Sequence, residues 1–352
     1  MSAPVVNAAA ADDVMAGHVA EPVLEVQHLA VQIPVADGVL HAVRDVSLSV
    51  PRGETLCVVG ESGCGKSLTS LAVMGLLPGG ARRTADRMTF LGEDLLSMSP
   101  GRLRELRGNR MAMIFQEPMT SLNPSWTIGD QLTEPFIRHG KGGKAQATER
   151  AVFLLERVGI AAAGRRLVQY PHELSGGLRQ RVMIAMALMC GPELILADEP
   201  TTALDVTIQA EILHLLAELQ REFGMGLLLV THDLGIVARV AHRVAVMYAG
   251  EVVESGPTTA VFDDPRHPYT RGLIDCIPIP GRNKPGTPLG TIPGLVPNLV
   301  GGITGCAFRD RCAYARAGCD GAIPVQAGAH DHGWRCVLSE SVADSTPTEV
   351  RA

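Results

Sequence analysis

The segment GESGCGKS at residues 60–67 constrains the fold more than any other part of this sequence. It fits the pattern G-x-x-x-x-G-K-[ST], it follows the apolar run TLCVVG, and it precedes the helical run SLTSLAVMGLL. Glycines in such a turn let consecutive backbone N–H groups converge on a phosphate, and Lys66 would reach the β- and γ-phosphates. A glycine-rich turn without a ligand does not require this strand, helix and Lys-Ser pair, so we expect a phosphate-binding loop in an α/β domain.

Strand-like and helical patterns alternate from about residue 23 to residue 265, and a helical periodicity covers 206–223. The segment RVAVMYAGEVVES predicts a hairpin that turns at Ala249 and Gly250. These patterns predict a mainly parallel α/β domain with a β-rich portion. The strand-like runs are TLCVVG (55–60), MAMIFQ (111–116), ELILAD (193–198) and GLLLVTH (226–232).

The composition changes near residue 265. Residues 278–305 contain six Pro and seven Gly, which are too many for a regular element. The sequence therefore predicts four regions. They are a disordered lead-in at 1–22, a nucleotide-binding domain at 23–265, a loop-rich extension at 266–340 and a flexible tail at 341–352.

Charge and hydropathy exclude several classes of protein. A net charge of −6 argues against a general nucleic-acid coat. The longest apolar runs fall short of the ~18 residues that a membrane-spanning helix needs, and the N-terminal residues lack the pattern of a secretory signal. We therefore expect a chain that stays in the cytosol, where its eight cysteines would not form structural disulfides.

Polar side chains follow three of the strand-like runs. Asp198 would bind Mg²⁺ together with the Ser67 hydroxyl, and Glu199 would activate an attacking water molecule. His232 would contact the γ-phosphate, and Gln116 would sense it near Mg²⁺. Each of these residues alone is common at a strand end, so the prediction depends on their order and spacing around the phosphate loop.

A second turn of this kind, LSGGLRQR at 174–181, precedes the apolar run VMIAMALM. It would also present N–H groups and a helix N-terminus to an anion. Because residues 60–67 already form a complete phosphate cradle, the residues leave open which phosphate the second turn would hold.

The order of these motifs resembles that of the ATP-binding subunits of ABC transporters over about residues 23–260. The resemblance implies an ABC-type P-loop NTPase domain of the α/β class, with a β-rich portion and a helical subdomain, and it implies ATP and Mg²⁺ as ligands. The motifs are GESGCGKS, Gln116, LSGG, LILADEP, ALD at 203–205 and His232. The residues implied to bind ATP are Gly60, Glu61, Ser62, Gly63, Cys64, Gly65, Lys66, Ser67 and Leu68.

In that family two subunits meet head to tail, and each presents its signature loop, here LSGG at 174–177, to the ATP of the other. The resemblance thus implies that Asp205 helps to couple the two sites. It implies Glu199, His232 and Gln116 as the catalytic group and Ser67, Gln116 and Asp198 as the Mg²⁺ ligands. The residues implied to bind ATP in trans are Ser175, Gly176 and Gly177.

Two positions depart from the family pattern. Leu178 stands where the family usually has Gln. Peptide-importer ATPases of the family often have an apolar residue at this position. Residues 31–43 contain no aromatic side chain to stack on adenine, so His41 or an aliphatic residue would take that place.

In the family, membrane helices dock on the segment EPMTSLNPSWTIGDQL after Gln116, which makes Trp126 a candidate contact.

Four cysteines crowd into the extension with the spacing C-x5-C-x6-C-x16-C, which lacks the tight pairs of usual zinc sites. Wider spacing on a loop-rich scaffold suits a [4Fe–4S] cluster. Zinc, with His330 or His332 as a further ligand, and four unrelated buried thiols are the alternatives. The cysteines are Cys306, Cys312, Cys319 and Cys336. The neighbouring arginines that would offset a cluster's negative charge are Arg309, Arg311, Arg316 and Arg335.

The segments HPYTRGLI (267–274), IPG (292–294) and GCAFRDRC (305–312) resemble the C-terminal extension of dipeptide and oligopeptide importer ATPases, some of which carry a [4Fe–4S] cluster. Asp310 replaces a Pro that is common there. The resemblance implies an ATPase at the cytoplasmic face of the membrane that energises peptide import. Its implied partners are a second ATPase, two membrane permeases and an extracytoplasmic solute-binding protein.

Three other classes of protein share some of these motifs and are alternatives to a peptide importer. Nickel and glutathione importers share the extension. DNA-repair and chromosome ATPases use the same nucleotide sandwich, but they insert coiled coils or zinc modules between the two loops, and the interval from Lys66 to Leu174 has no heptad run. Translation-associated cassette proteins generally carry two cassettes, and this chain has one. We therefore expect no nucleic-acid partner.

Overall fold

The computed structural model describes residues 22–117, 121–202, 204–277 and 290–338. Within these ranges the strands form one mixed, 13-stranded sheet, and the order along its main path is β6-β5-β1-β2-β11-β10-β3-β9-β8-β7. The strands are β1 Pro22–Val35, β2 Gly38–Pro51, β3 Thr55–Val59, β4 Arg82–Thr84, β5 Arg87–Phe90, β6 Glu93–Asp94, β7 Met111–Ile114, β8 Leu194–Asp198, β9 Gly226–Val230, β10 Arg243–Tyr248, β11 Glu251–Pro257, β12 Gln326–Ala327 and β13 Gly333–Trp334.

The parallel part of the sheet, formed by β10, β3, β9, β8 and β7, is buried on both faces. Successive residues of β3 show this directly. Cys57 and Val59 belong to one large apolar cluster, whereas Leu56 and Val58 belong to another. A strand covered on both sides must be apolar along its whole length, which confirms the strands predicted from the continuous apolar runs.

The antiparallel part is larger than the sequence patterns indicated. The predicted hairpin β10–β11 turns at Ala249 and Gly250, both of which have positive φ. The long pair β1–β2, with β4 to β6 beside it, forms the rest of this β-rich portion. Several register shifts interrupt the β1–β2 pairing, so its apolar alternation is irregular in the sequence.

Helices cover both the sheet and the phosphate-binding edge. The helix predicted at 206–223 has those bounds in the structure. Between β7 and β8, helices α3 to α6 of the described residues form the helical subdomain. In the part of the chain that the structure describes, the α-helices are α1 Lys66–Met74, α2 Pro100–Leu106, α3 Ile128–Arg138, α4 Lys144–Arg157, α5 Ala163–Arg166, α6 Gly176–Leu188, α7 Val206–Phe223, α8 Leu234–Val240, α9 Thr258–Asp263 and α10 Pro268–Asp275.

The extension adds to the sheet of the cassette. Its strand β13 pairs with β11, and β12 pairs with β13, while residues 290–325 are mostly irregular apart from short 3₁₀ turns. The predicted lead-in up to residue 21, the Pro-rich stretch 278–289 and the predicted tail lie outside the described residues. Among the residues that are described, no helix has the length and apolar character to cross a bilayer.

Candidate functional site

The phosphate loop, residues 60–67, connects β3 to α1. Its glycines have φ values of 152° at Gly60, 81° at Gly63 and 101° at Gly65, which side chains rarely adopt. A Cβ atom would lie 2.2 Å from the Met247 carbonyl oxygen at Gly60 and 2.5 Å from the Ala42 carbonyl oxygen at Gly65. The neighbouring strands therefore fix the tight curl of the loop, and only glycine fits at these two positions.

The Lys66 side chain lies inside this curl and is only 4% exposed. Its ammonium donates hydrogen bonds to the carbonyl oxygens of Gly60 at 2.8 Å and Glu61 at 3.0 Å. The same nitrogen lies 3.9 Å from a Glu199 carboxylate oxygen. The loop thus holds one positive charge directly beside the acidic end of β8.

Ser67 and Asp198 form the oxygen-rich part of the site. The Ser67 hydroxyl donates a hydrogen bond of 2.8 Å to Oδ1 of Asp198, which ends the buried strand β8. Burial raises the pKa of Asp198 above its usual range, although the bond from Ser67 opposes this shift. A hydroxyl and a carboxylate at this distance are ligands that Mg²⁺ prefers.

Glu199 is the meeting point of the predicted catalytic residues. Gln116 donates to its Oε2 at 3.2 Å, and the His232 Nδ1 lies 3.7 Å from the same oxygen. Thr202, which the sequence analysis missed, also donates to Oε2 at 3.0 Å. The hydroxyl of Thr202, three positions after Glu199, was the available signal. Glu199 has φ +43°, a rare value for this residue type that turns the chain sharply after β8.

The signature loop has a different environment. Ser175 is exposed and caps α6, and its Oγ accepts a 3.4 Å hydrogen bond from the Leu178 N–H. A serine cap of this kind leaves the other first-turn N–H groups of the helix open to an outside acceptor.

The residues next to the signature loop come from the segment that leads into α7 and from the first turn of that helix. Cβ atoms added at Gly176 and Gly177 would lie 3.6 Å and 3.4 Å from the side chains of Leu204 and Ile208. Asp205 is exposed at the N-terminus of α7, while Ala203 lies outside the described residues. The two predicted interface motifs therefore pack side by side on one surface.

The extension contacts the phosphate loop through two residues that the sequence analysis did not assign to the site. The two terminal nitrogens of the Arg311 guanidinium donate to the Glu61 carboxylate, at 2.6 Å and 2.9 Å. The Glu61 N–H donates to the Tyr269 hydroxyl at 2.9 Å. No local pattern indicates these contacts, because Arg311 lies 250 positions after Glu61. The predicted adenine neighbour, His41, is half-buried, and its N–H donates to the Leu299 carbonyl oxygen.

The four cysteines line one small cavity of about 10 Å³, roughly the space of one water molecule. Burial raises the pKa of Cys306 to about 11 and that of Cys312 to about 12, so both are neutral thiols at pH 7. Across the described part of the chain, no group of three or more His, Cys, Asp or Glu side chains is arranged to hold a metal ion. The four thiols therefore line one cavity, but among the described residues they are not arranged as a metal site.

The predicted neighbours of the cysteines have other partners. Arg309 pairs with Asp320, Arg311 with Glu61, and Arg335 with Asp45 at 2.6 Å. Each of these three arginines is therefore paired with a carboxylate, and their expected role in offsetting the charge of a cluster stays a prediction.

His332, one of the two histidines considered as a zinc ligand, also has another partner. The Nε2 atom of His332 lies 2.8 Å from the buried Glu254 carboxylate, which ties it to β11. His330 is exposed.

A groove on the helical subdomain contains exposed apolar side chains. Trp126, Ile137 and Tyr170 are 46%, 44% and 39% exposed, and they border a space of about 630 Å³. Charged side chains, including Asp130 and Arg138, line the same groove. We call this the docking groove, since exposed aromatic residues with a polar rim are typical of protein contacts.

Comparison with known proteins gives the family. The family described as ABC transporter matches residues 43–202, and that described as "Oligopeptide/dipeptide transporter, C-terminal region" matches residues 253–319. The dipeptide transport ATP-binding protein DppD of Bacillus subtilis is 48% identical over 326 residues, covering 92% of this chain and 97% of that protein. The chain belongs to the ABC transporter family. As an ATP-binding subunit of this family, it is an ATPase.

Other relatives agree with this assignment. DppD of Escherichia coli is 48% identical over 302 residues, covering 86% of this chain and 92% of that protein. A solved ATP-binding cassette, dimeric and bound to ADP and Pi after hydrolysis, has a TM-score of 0.58 and 26% identity, covering 67% of this chain and 98% of that one. These comparisons confirm the predicted cassette fold.

Proposed function

We propose that this ATPase energises the import of di- and oligopeptides across the cytoplasmic membrane. ATP hydrolysis is supported by one observation above all. Lys66, Gln116 and His232 lie close to Glu199 beside the phosphate loop. The names of the relatives and the match of the extension to oligopeptide and dipeptide transporters support the peptide cargo.

The phosphate loop and Leu68 bind the nucleotide. N–H groups of the loop and the Lys66 ammonium hold the β- and γ-phosphates. Ser67, Asp198 and Gln116 hold Mg²⁺, and the 2.8 Å contact between Ser67 and Asp198 supports this oxygen ligand set. When bound, Mg²⁺ neutralises charge on the phosphate oxygens.

Glu199 is the general base. Its carboxylate takes a proton from a water molecule whose oxygen attacks the γ-phosphorus, and the bond to the bridging oxygen of ADP breaks. Hydrogen bonds from Gln116 and Thr202 orient the carboxylate, and His232 contacts the γ-phosphate.

Two subunits complete each site. In a head-to-tail dimer, Ser175, Gly176 and Gly177 contact the γ-phosphate bound to the partner subunit, and Asp205 couples the two sites. The exposure of Ser175 and the dimeric state of the solved cassette support this arrangement. The α6 N-terminus contributes about half a positive charge toward that phosphate. Hydrolysis removes the phosphate that joins the subunits, so the dimer opens.

The complete transporter contains further chains. Two permeases dock on the cassettes through the docking groove, whose exposed Trp126 supports this contact. An extracytoplasmic binding protein delivers the solute, and the second ATPase is a copy of this chain or a related subunit. The chain lies at the cytoplasmic face of the membrane and has no nucleic-acid partner.

The domain division that best fits these roles is a cassette at 23–265 and an extension at 266–340. The two family matches support a division in this region, although the second match begins within β11, at residue 253. The pairing of β13 with β11 means that the extension packs on the cassette as part of its sheet.

Affinity purification from detergent-solubilised membranes of the native host tests this function. We expect two permeases and a second ATPase to be retained, with short peptides identified by mass spectrometry. Trp126→Ala removes about 2 kcal/mol of contact energy and should lower permease recovery. Phe153→Ala is the matched control, because Phe153 is similarly exposed, at 41%, on α4 outside the groove.

The outcomes separate the candidate functions. Nickel or glutathione in place of peptides would reassign the cargo and keep the mechanism. Recovery of DNA or of no membrane protein would contradict the transport function and favour the DNA-associated ATPases.

The four cysteines of the extension form a metal centre in this proposal, with [4Fe–4S] as its occupant and zinc as the alternative. Their convergence on one cavity supports a shared ligand. Four thiolates are the usual ligands of such a cluster. Iron, acid-labile sulfide and zinc analysis of anaerobically purified protein tests this, and the absence of all three would contradict it.

A further inference from the structure

The Glu61 end of the phosphate loop is held by the extension rather than by the cassette alone. Arg311 makes two parallel hydrogen bonds to the Glu61 carboxylate, at 2.6 Å and 2.9 Å. The Arg311 side chain is 5% exposed and that of Glu61 28%. Bidentate pairs of this kind fix the orientation of both groups, and burial strengthens them relative to a surface pair.

Arg311 is itself held in place by other groups. Its Nε donates to the Pro293 carbonyl oxygen at 2.8 Å, and one Nη donates to that of Ile292 at 3.1 Å. The guanidinium lies 5.7 Å from the ring centroids of Tyr248 and Phe308. The guanidinium therefore has little freedom to leave Glu61, and its bonds to that carboxylate raise its own pKa.

Tyr269 provides the second contact. Its hydroxyl accepts the Glu61 N–H, and the ring is fully buried against Tyr248 and Phe308. The turn before Tyr269 is fixed by Glu254, whose buried carboxylate accepts the N–H groups of Arg266 and His267 at 2.8 Å. The extension thus grips both the side chain and the backbone of Glu61.

The geometry points to Arg311 as a positioning residue for nucleotide binding, which acts through Glu61 and is assisted by Tyr269. The strands hold the phosphate loop at Gly60 and Gly65, but Glu61 lies between Gly60 and Gly63, whose backbone is freer than that of other residues, so without the extension the Glu61 end of the loop would populate several conformations. If only a fraction of molecules has the binding shape, the apparent dissociation constant rises by the inverse of that fraction. This inference rests on the proposed binding of ATP to this loop.

Because Cys312 directly follows Arg311, the same contact joins the four-cysteine segment, residues 306–336, to the phosphate loop. Phe308, between Cys306 and Cys312, packs edge-on against Tyr248. A change at the cysteines that shifts this turn would therefore reach Glu61 through one residue.

The test measures Mg-ATP binding and steady-state ATPase kinetics of the full-length chain. Arg311→Met should raise the dissociation constant and the KM for ATP about tenfold and leave kcat within about twofold, because the bound loop has its normal shape. Arg311→Lys, which keeps the charge but not the paired geometry, should lie between wild type and Arg311→Met. The charge exchange Glu61→Arg with Arg311→Glu should recover part of the affinity lost in each single variant.

Arg271→Met is the matched control, because Arg271 pairs with Asp275 on the exposed face of α10. This control should bind ATP as wild type does. If Arg311→Met does not fold, Glu61→Gln weakens the same pair from the cassette side and should also raise KM. Wild-type KM in Arg311→Met, or in Glu61→Gln where that variant replaces it, would overturn the inference, as would an equal rise in Arg271→Met.

One further variant separates this inference from the proposed function. Lys66→Ala should lose ATP binding if the loop is the nucleotide site. Retained binding in Lys66→Ala would contradict the proposed function itself. Lost binding in Lys66→Ala together with normal binding in Arg311→Met would overturn only the role of Arg311.

Discussion

The phosphate loop and the signature loop are both glycine-containing turns that precede a helix, yet their surroundings are opposite. The phosphate loop is enclosed by β2, by the end of β10 and by the extension, and Lys66 is bonded within it. The signature loop is exposed at Ser175, whose Oγ is bonded within its own helix. The phosphate loop is therefore completed by contacts within its own chain, whereas the signature loop remains open to a partner.

The enclosed loop should show the largest effect. Lys66→Ala removes the charge that the loop holds next to Glu199, so ATP affinity should fall by about 100-fold or more and ATPase activity should fall to background. Equilibrium binding of a fluorescent ATP analogue measures this. Affinity close to that of wild type would mean that the enclosed loop is not the nucleotide site.

Glu199 should separate binding from hydrolysis. Glu199→Gln keeps a hydrogen-bonding side chain of the same size but removes the base, so kcat should fall roughly 100- to 10,000-fold while ATP still binds. With hydrolysis blocked, ATP should hold the two subunits together, and size-exclusion chromatography with ATP should detect a stable dimer. Near-normal turnover would rule out the assignment of Glu199 as the base.

The exposed loop should act only across an interface. Ser175→Arg should lower ATP hydrolysis about 100-fold by blocking contact with the partner's phosphate. Mixing it with Lys66→Ala restores one intact site per mixed dimer, since each variant supplies what the other lacks. Partial recovery of ATPase activity on mixing is therefore expected. Failure to recover, in mixtures where a dimer forms, would place the effect of Ser175 within its own subunit.

The smallest effect concerns the buried support beneath the phosphate loop. Burial lowers the pKa of His267 from 6.5 to about 3, so the unfolded chain binds a proton before the folded chain does. The stability that the folded chain has because His267 is neutral is fully present above pH 6.5 and is lost as the pH falls toward 3. At pH 5.5, proton binding to this histidine in the unfolded chain lowers the free energy of unfolding by about 1.4 kcal/mol relative to neutral pH.

His267→Asn keeps an acceptor for the Tyr269 N–H but cannot titrate, so its urea midpoint should change less between pH 7.5 and 5.5 than that of wild type. His330→Asn, at an exposed position of the same extension, is the control and should keep the wild-type pH dependence. An identical pH dependence in all three proteins would mean that His267 is not a buried neutral group.

Structure could be predicted from the sequence where a local pattern has one structural solution. Apolar runs of five or six residues identified β3, β7, β8 and β9. The polar residues at the ends of three of these runs, Gln116, Asp198 and His232, were assigned to one site from their order and spacing, and the structure brings them to one edge because the strands are parallel. The roles of these residues stay predictions until the variants above are measured. The register shifts of β1–β2 weakened the same kind of pattern there.

The sequence alone determined the position of the glycine-rich phosphate loop, the strands behind it and the order of the motifs, because glycine spacing and apolar periodicity act over a few neighbouring residues. Only the tertiary structure decided that Arg311 and Tyr269 hold Glu61, and that Arg309 and Arg335 pair with carboxylates. Arginine can pair with any carboxylate that the folded chain brings within reach, and nothing in the local sequence selects among them.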